Sequence, residues 1–138
     1  MTGLAFISYR RDDSAQISQG LYFQLKARFG SGQLFMDVNS VMVGQPWPAR
    51  IQTRLQKASV VLAVIGPGWL TAADKFGRRK LDAPTDWVRE ELSVALSDGI
   101  PIIPLVFDDL KNVPDPEGLP VVLQARSVQN MRRHAAAR

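Results

Sequence analysis

The sequence predicts a doubly wound α/β domain built on a parallel sheet. Short apolar segments rich in strand-forming residues alternate with segments of helical periodicity. The run Val60 to Ile65 is continuously apolar, as is typical of a strand covered on both faces in a parallel sheet. The length of 138 residues suits one domain with one substantial core. The simplest arrangement is a flavodoxin-like sheet of about five strands with right-handed crossovers.

The first half of the chain predicts strand, helix and strand in that order. Leu4 to Tyr9 is an apolar run of strand formers, and the polar cluster after it, residues 10–14, is suited to capping a helix. Apolar residues at helical spacing continue until Gly30, where we expect the helix to end. Residues 34–36 predict a brief second strand.

The remaining elements complete the alternating pattern around residues 60–65, which we interpret as the central strand. The connection at 37–47 is long for a loop of its type, and Pro48 suits the first turn of a second helix. A fourth strand is predicted at 100–107, towards one side of the sheet because it contains two prolines. A fifth strand near 127–131 has only a weak signal, and we expect no full closing helix after it.

The end of the chain differs in charge from the rest. Of the 17 Lys and Arg residues, four lie after position 125, and the other 13 balance the 13 Asp and Glu residues. We therefore predict a domain core at 1–125 and a last strand with a basic tail, or the start of a linker, at 126–138. We predict no direct contact with nucleic acid. Because no closing helix is predicted, we expect one of two situations. The chain is either a domain excised from a longer protein or a module fused to a sensor or effector domain beyond residue 138.

The composition excludes several kinds of chemistry. There are no cysteines, and the single histidine, His134, lies in the predicted tail, which leaves carboxylates as the leading catalytic candidates. Metal-ligand spacings, the Gly-x-Gly-x-x-Gly pattern and the Walker A pattern are all missing, so we predict no metal and no cofactor. With no signal-peptide layout and no apolar run near 20 residues, we expect a cytoplasmic protein without a membrane partner.

The strongest candidate for a functional site is the pair Trp87 and Glu91. A proline followed by Thr85 or Asp86 predicts a helix start, so the two side chains project from the same side, one turn apart. The helix phase places Glu91 at the border of the apolar stripe, half-buried, and Glu90 on the solvated side. A partly desolvated carboxylate attracts a nearby cation more strongly. The alternative interpretation is an acid that stabilises the positive helix N-terminus.

Further candidates follow the predicted strands. In open parallel sheets, ligands bind outside the carboxyl ends of the strands. Each candidate also has a simpler structural interpretation. A tyrosine at the end of a strand, such as Tyr9, often only closes a core, and Asp37 suits anchoring of its loop. One of the two arginines, Arg10 or Arg11, is expected to pair with a nearby aspartate. These candidates are Tyr9, Arg10 and Arg11 after strand one, with Asp12, Asp13 or Asp37 as possible arginine partners, then Asp37 after strand two and Gly66 after strand three.

On these residues the chain resembles a Toll/interleukin-1 receptor (TIR) domain of the bacterial type. The matching stretches lie at 6–12, 34–47, 64–69 and 86–92, and the resemblance spans about residues 4 to 110. The family fold is a five-stranded parallel sheet in flavodoxin-like order. Many members hydrolyse NAD⁺ with the glutamate of a Trp-x-x-x-Glu motif, which corresponds to Trp87 and Glu91 here.

The resemblance also implies roles for the other candidates. In the family, the residues after strand one line the nucleotide cleft, and the segment matching 37–47 is the BB loop, which contributes to self-assembly and in some members completes a neighbouring site. Some hydrolases carry an acid two positions before the BB-loop glycine, where this chain has Met42. The implied substrate-binding residues are Tyr9, Arg10, Arg11, Asp37, Gly44, Trp47, Gly66 and Trp87, with Glu91 as the catalytic residue.

The implied function is an NAD⁺ glycohydrolase activated by self-association through the BB loop. It would release nicotinamide and either ADP-ribose or a cyclic isomer, with NAD⁺ as substrate and a role in bacterial signalling, antiphage defence or host interference. Cleavage passes through an oxocarbenium-like transition state with a leaving group that needs no protonation, so one carboxylate, Glu91, is enough. We expect Trp87 to pack against nicotinamide or ribose and Arg10 or Arg11 to face the phosphates. The alternative is a non-enzymatic module that binds other TIR domains and in which Glu91 is structural.

Overall fold

A parallel sheet forms the centre of the domain. The structure is a computed structural model, and it describes residues 3–36 and 49–106. Within these ranges the strands are β1 (Leu4–Tyr9), β2 (Leu34–Phe35), β3 (Ala58–Ile65) and β4 (Ile102–Val106), and all their pairings are parallel. Their order, β2-β1-β3-β4, is that of a flavodoxin-like sheet. The predicted fold class is confirmed, whereas the predicted fifth strand and the tail lie outside the described residues.

Among the described residues, three α-helices pack on this sheet: α1 (Arg11–Phe29), α2 (Ala49–Gln56) and α3 (Trp87–Ser97). Alternate side chains of a strand face opposite sides of a sheet. Ile7 of β1 joins a cluster that includes the apolar side of α1, whereas Phe6 joins a larger cluster with residues of α2 and α3. The helices therefore cover both faces, which explains why β3 has no polar alternation.

The register of β1 and β3 places the segment after β1 beside the turn after β3. In the β1–β3 pairing, Ser8 lies opposite Ala63 and Tyr9 lies opposite Val64. Both strands run in the same direction, so the residues after β1 and the turn after β3 meet at one edge of the sheet. Helix α3, on the face shared with Phe6, reaches this edge with its first turns.

The start of α1 departs from the prediction. The N-cap residue Arg10 makes no side-chain capping bond, and Ser14 has non-helical dihedral angles (φ −145°, ψ 30°) that interrupt the first turn. The polar cluster was predicted to cap the helix, but the carboxylate of Asp13 instead accepts hydrogen bonds from the turn after β3. The other end agrees with the sequence, since α1 ends at Gly30 with a φ of +86°, which glycine adopts without strain.

Candidate functional site

Helix α3 carries the main candidates, and Asp86 directly precedes its first residue. The Asp86 side chain accepts a hydrogen bond from the backbone N–H of Arg89 at 3.1 Å, which identifies it as the N-cap. Trp87 is then the first helical residue and Glu91 the fifth. The capping interpretation considered for Glu91 therefore belongs to Asp86 instead.

Glu91 is more buried than the sequence predicted. It was expected to be half-buried, but only 7% of it is exposed, because α3 lies directly against β1 at this point. The hydroxyl of Ser8, itself 1% exposed, donates a hydrogen bond to Oε1 of Glu91 at 2.7 Å. Glu90, expected on the solvated side, has intermediate exposure. The functional candidate is thus a carboxylate held inside the domain by the penultimate residue of a central strand.

Arg10 lies beside this carboxylate site and is bound to Asp86. Its two terminal nitrogens donate to the two carboxylate oxygens of Asp86 at 2.8 and 2.9 Å, and the side chains are only 5% and 9% exposed. We expected one arginine of this segment to pair with Asp12, Asp13 or Asp37. Arg10 pairs with an aspartate 76 residues further along the chain, because the strand end and the helix start are adjacent in the fold, and for Arg11 the expectation stays a prediction.

The turn after β3 is fastened to the start of α1. Asp13 accepts hydrogen bonds from the backbone N–H of Gly66 at 2.8 Å and of Gly68 at 2.7 Å. A Cβ atom on Gly66 would lie 2.6 Å from a carboxylate oxygen of Asp13, so the close approach requires glycine. Sequence reasoning missed this role of Asp13, and its signal was an acid in the segment directly after β1, which ends at the same edge of the sheet.

The other described candidates are spread over both faces of the sheet and do not form a single cluster with Glu91. Tyr9 is partly buried and packs with the α1 cluster, on the face opposite Phe6, in agreement with the core-closing alternative. Arg11 is exposed in the first turn of α1, and Trp87 is partly buried against the core cluster of α2 and α3. Trp69, in the turn after β3, is a core residue with 1% exposure. The candidates Asp37, Gly44 and Trp47 lie outside the described residues.

The loop between β3 and α3 is organised by its own charges. Asp74 accepts hydrogen bonds from the backbone N–H groups of Arg78 and Phe76 and from the Arg78 side chain. The backbone hydrogen bond from Arg78 lowers the pKa of Asp74 below its ordinary value of 3.8. Asp82 differs in that it accepts two hydrogen bonds from the side chain of Arg79, and these lower the pKa of Asp82.

Two negative findings concern the described part of the chain. Residues 3–36 and 49–106 contain no group of three or more His, Cys, Asp or Glu side chains arranged to hold a metal ion. Among the same residues, no helix is both long and apolar enough to cross a membrane.

The fold and the site define a class: a flavodoxin-like α/β domain with a buried carboxylate near the carboxyl ends of its strands. Residues 5–137 match the family described as TIR domain, and the chain therefore belongs to the TIR domain family. This match confirms the resemblance at the level of the family. It runs across the boundary predicted between 125 and 126, and that boundary stays a prediction.

Among solved structures, the chain is similar to the TIR domains in the structure of the activated Roq1 resistosome directly recognizing the pathogen effector XopQ. The TM-score is 0.54 with 17% sequence identity, over 98% of this chain and 78% of that chain. At this identity the likeness shows a shared fold. The bacterial type and the NAD⁺-hydrolysing branch stay predictions.

Proposed function

We propose that this TIR domain cleaves the bond between nicotinamide and ribose in NAD⁺, with Glu91 as the catalytic residue. The observation that carries the proposal is the position of Glu91: a carboxylate with 7% exposure, one turn after Trp87 and hydrogen-bonded to Ser8 at the end of a central strand. Buried polar residues at this edge of a parallel sheet are typical of ligand sites. Its distance from the helix start, where Asp86 is the cap, argues against a purely capping role.

The chemistry needs one negative charge near the ribose. Positive charge develops on the sugar as nicotinamide leaves, and a carboxylate 4 Å away stabilises it by roughly 4 kcal/mol at an effective dielectric constant near 20. This energy corresponds to a rate factor on the order of 1000. A carboxylate has about four acceptor positions, so Glu91 can accept a hydrogen bond from a ribose hydroxyl as well as from protein donors such as Ser8. The low-dielectric surroundings of Glu91 make its charge more effective than a surface carboxylate would be.

Trp87 is proposed to contact the nicotinamide or the ribose. Its ring is only partly buried against the core, and an indole provides a flat apolar surface for a planar ring. Arg11, exposed in the first turn of α1, is the arginine that we assign to the phosphates. Arg10 is engaged with Asp86 and does not keep that assignment. Asp37, Gly44 and Trp47 remain proposed contributors from the BB loop.

We further propose that activity depends on self-association of the domain through the segment 37–47. Support comes from family membership, and the similar TIR domains were solved within an activated resistosome. As nicotinamide leaves, water adds to C1′ of the ribose and loses a proton to give ADP-ribose, or a nitrogen of the same molecule's adenine attacks C1′ to give a cyclic isomer. We propose the cytoplasm as the compartment of this reaction. NAD⁺ acts as substrate in this scheme, without a bound cofactor.

The experiment is incubation of the protein with NAD⁺ and detection of nicotinamide. Wild type and Glu91→Ala are compared at high protein concentration and on a surface that clusters the domains. We expect nicotinamide from clustered wild type and a loss on the order of 1000-fold in Glu91→Ala. Equal turnover by the two proteins would remove Glu91 from the mechanism.

A non-enzymatic assembly module is the second candidate, and the Ser8 hydrogen bond favours it. A buried carboxylate joined to a strand hydroxyl also stabilises a fold without any reaction. In this case clustered wild type would release no nicotinamide, whereas light scattering would show concentration-dependent association. Glu91→Ala would then have a lower melting temperature than wild type, and neither protein would cleave NAD⁺.

A further inference from the structure

We propose that Arg10 is a positioning residue: together with Asp86 it fixes the first turn of α3 against the end of β1, and through that turn it sets the position of Glu91. The proposal rests on the proposed function for its kinetic consequences, but its structural part is independent of any reaction. We call the ion pair between these two side chains the Arg10–Asp86 clamp.

The clamp has the geometry of a rigid contact. Two parallel hydrogen bonds of 2.8 and 2.9 Å join the guanidinium to the carboxylate, an arrangement that fixes both distance and orientation. Both side chains are less than a tenth exposed, so water and salt screen the pair little. Oδ2 of Asp86 also accepts from the backbone N–H of Arg89, so the guanidinium is joined directly to the group that caps α3.

A second contact between the same elements lies a short distance away. Ser8 bonds to Glu91, and Arg10 bonds to Asp86. Two residues along a strand span about 6.6 Å, and five residues along a helix span about 7.5 Å. The contacts are therefore nearly matched in spacing along β1 and α3, which run in opposite directions between these points. Two separated contacts prevent a rotation that one contact alone would permit.

Loss of the clamp should therefore move Glu91 without removing any group that touches the substrate. Misplacement of a reacting group by about 1 Å costs on the order of 100-fold in rate. We expect Arg10→Met to lower kcat by on the order of 10- to 100-fold, with KM changed less than about threefold. A phosphate-binding arginine would instead raise KM, because it contributes to binding in the ground state.

A double-mutant comparison separates these roles. Asp86→Asn keeps a good capping residue while it removes the charge. In the double variant Arg10→Met/Asp86→Asn, we expect kcat to lie within about twofold of the kcat of the less active single variant, because both changes break the same contact. Multiplied effects of the two changes, or a raised KM with an unchanged kcat for Arg10→Met, would overturn the proposal. Arg28→Met, an exposed arginine in the last turn of α1, is the matched control.

Hydrogen exchange tests the clamp in a way that does not depend on catalysis. We expect both single variants and the double variant to lose at least about tenfold of the protection at the amides of Glu91 and Leu92, relative to the far end of α3. Unchanged protection in all three variants would refute the clamp, even if NAD⁺ cleavage were observed. Lost protection in a protein whose wild type releases no nicotinamide would support the clamp and refute the proposed function. Each single variant leaves one buried charge without its partner, which can prevent folding. The double variant replaces the two buried charges by a neutral pair, so hydrogen exchange can still be measured on it.

Discussion

Replacement of Ser8 by alanine isolates the hydrogen bond that holds Glu91 in the interior. The hydroxyl donates to Oε1 at 2.7 Å, and the two residues are 1% and 7% exposed, so water does not readily replace the lost donor. A hydrogen bond to a charged group is worth about 1.5–3 kcal/mol, and we expect Ser8→Ala to lower the free energy of unfolding by about 2 kcal/mol. With an unfolding entropy of about 2.1 cal/mol/K per residue over 138 residues, the melting temperature should fall by about 7 °C.

The assay is thermal and urea unfolding of four proteins: wild type, Ser8→Ala, Glu91→Ala and the double variant. Because both single changes remove the same contact, we expect the double variant to lose about 1–2 kcal/mol less than the sum of the single losses. Ser59→Ala, an exposed serine on β3, is the control and should change stability by less than about 0.5 kcal/mol. Additive losses, or a Ser8→Ala effect as small as that of the control, would refute the reasoning.

Further predictions concern the turn after β3 and the loop before α3. Gly66→Ala should lower the free energy of unfolding by about 2 kcal/mol or more, because the added Cβ would displace the Asp13 carboxylate. Gly20→Ala, with no atom near the added Cβ, should instead stabilise α1 by about 1 kcal/mol. Urea denaturation of both variants and wild type measures these changes. The pKa of Asp74 is lower in the folded protein than in the unfolded protein. The ionised Asp74 therefore stabilises the loop at any pH above its unfolded-state pKa, and this stabilisation is lost as the pH falls through its folded-state pKa. The amide of Arg78 should therefore lose protection below about pH 4, and Asp74→Asn should abolish this transition in NMR exchange measurements.

Local sequence features predicted the elements well where one signal dominated. The bounds of β1 agree with the prediction because Leu4–Tyr9 is an apolar run that ends at charged residues. The end of α1 at Gly30 and the start of α3 at Asp86 follow from conformational and capping preferences that act within one turn. Strand β2 is a residue shorter than predicted, because strand propensity does not determine where pairing with β1 stops.

The contacts within the site were beyond sequence reasoning because they join distant segments. Ser8 and Glu91 are 83 residues apart, and Asp13 and Gly66 are 53 apart. The sequence indicated a nearby aspartate as the partner of one of the two arginines, and it gave no sign that the packing of α3 brings Asp86 to Arg10. The same packing makes Glu91 more buried than its helix phase indicated, since the phase describes one helix and not the strand beneath it.

The most direct test of the central claim compares two neighbouring glutamates on α3. Release of nicotinamide from NAD⁺ by clustered protein is measured for wild type, Glu91→Gln and Glu90→Gln, where each change removes one charge and nearly preserves size. We predict that Glu91→Gln lowers turnover by on the order of 1000-fold and that Glu90→Gln stays within about threefold of wild type. Similar turnover by all three proteins, or an equal loss in both variants, would contradict the assignment of Glu91 as the catalytic carboxylate.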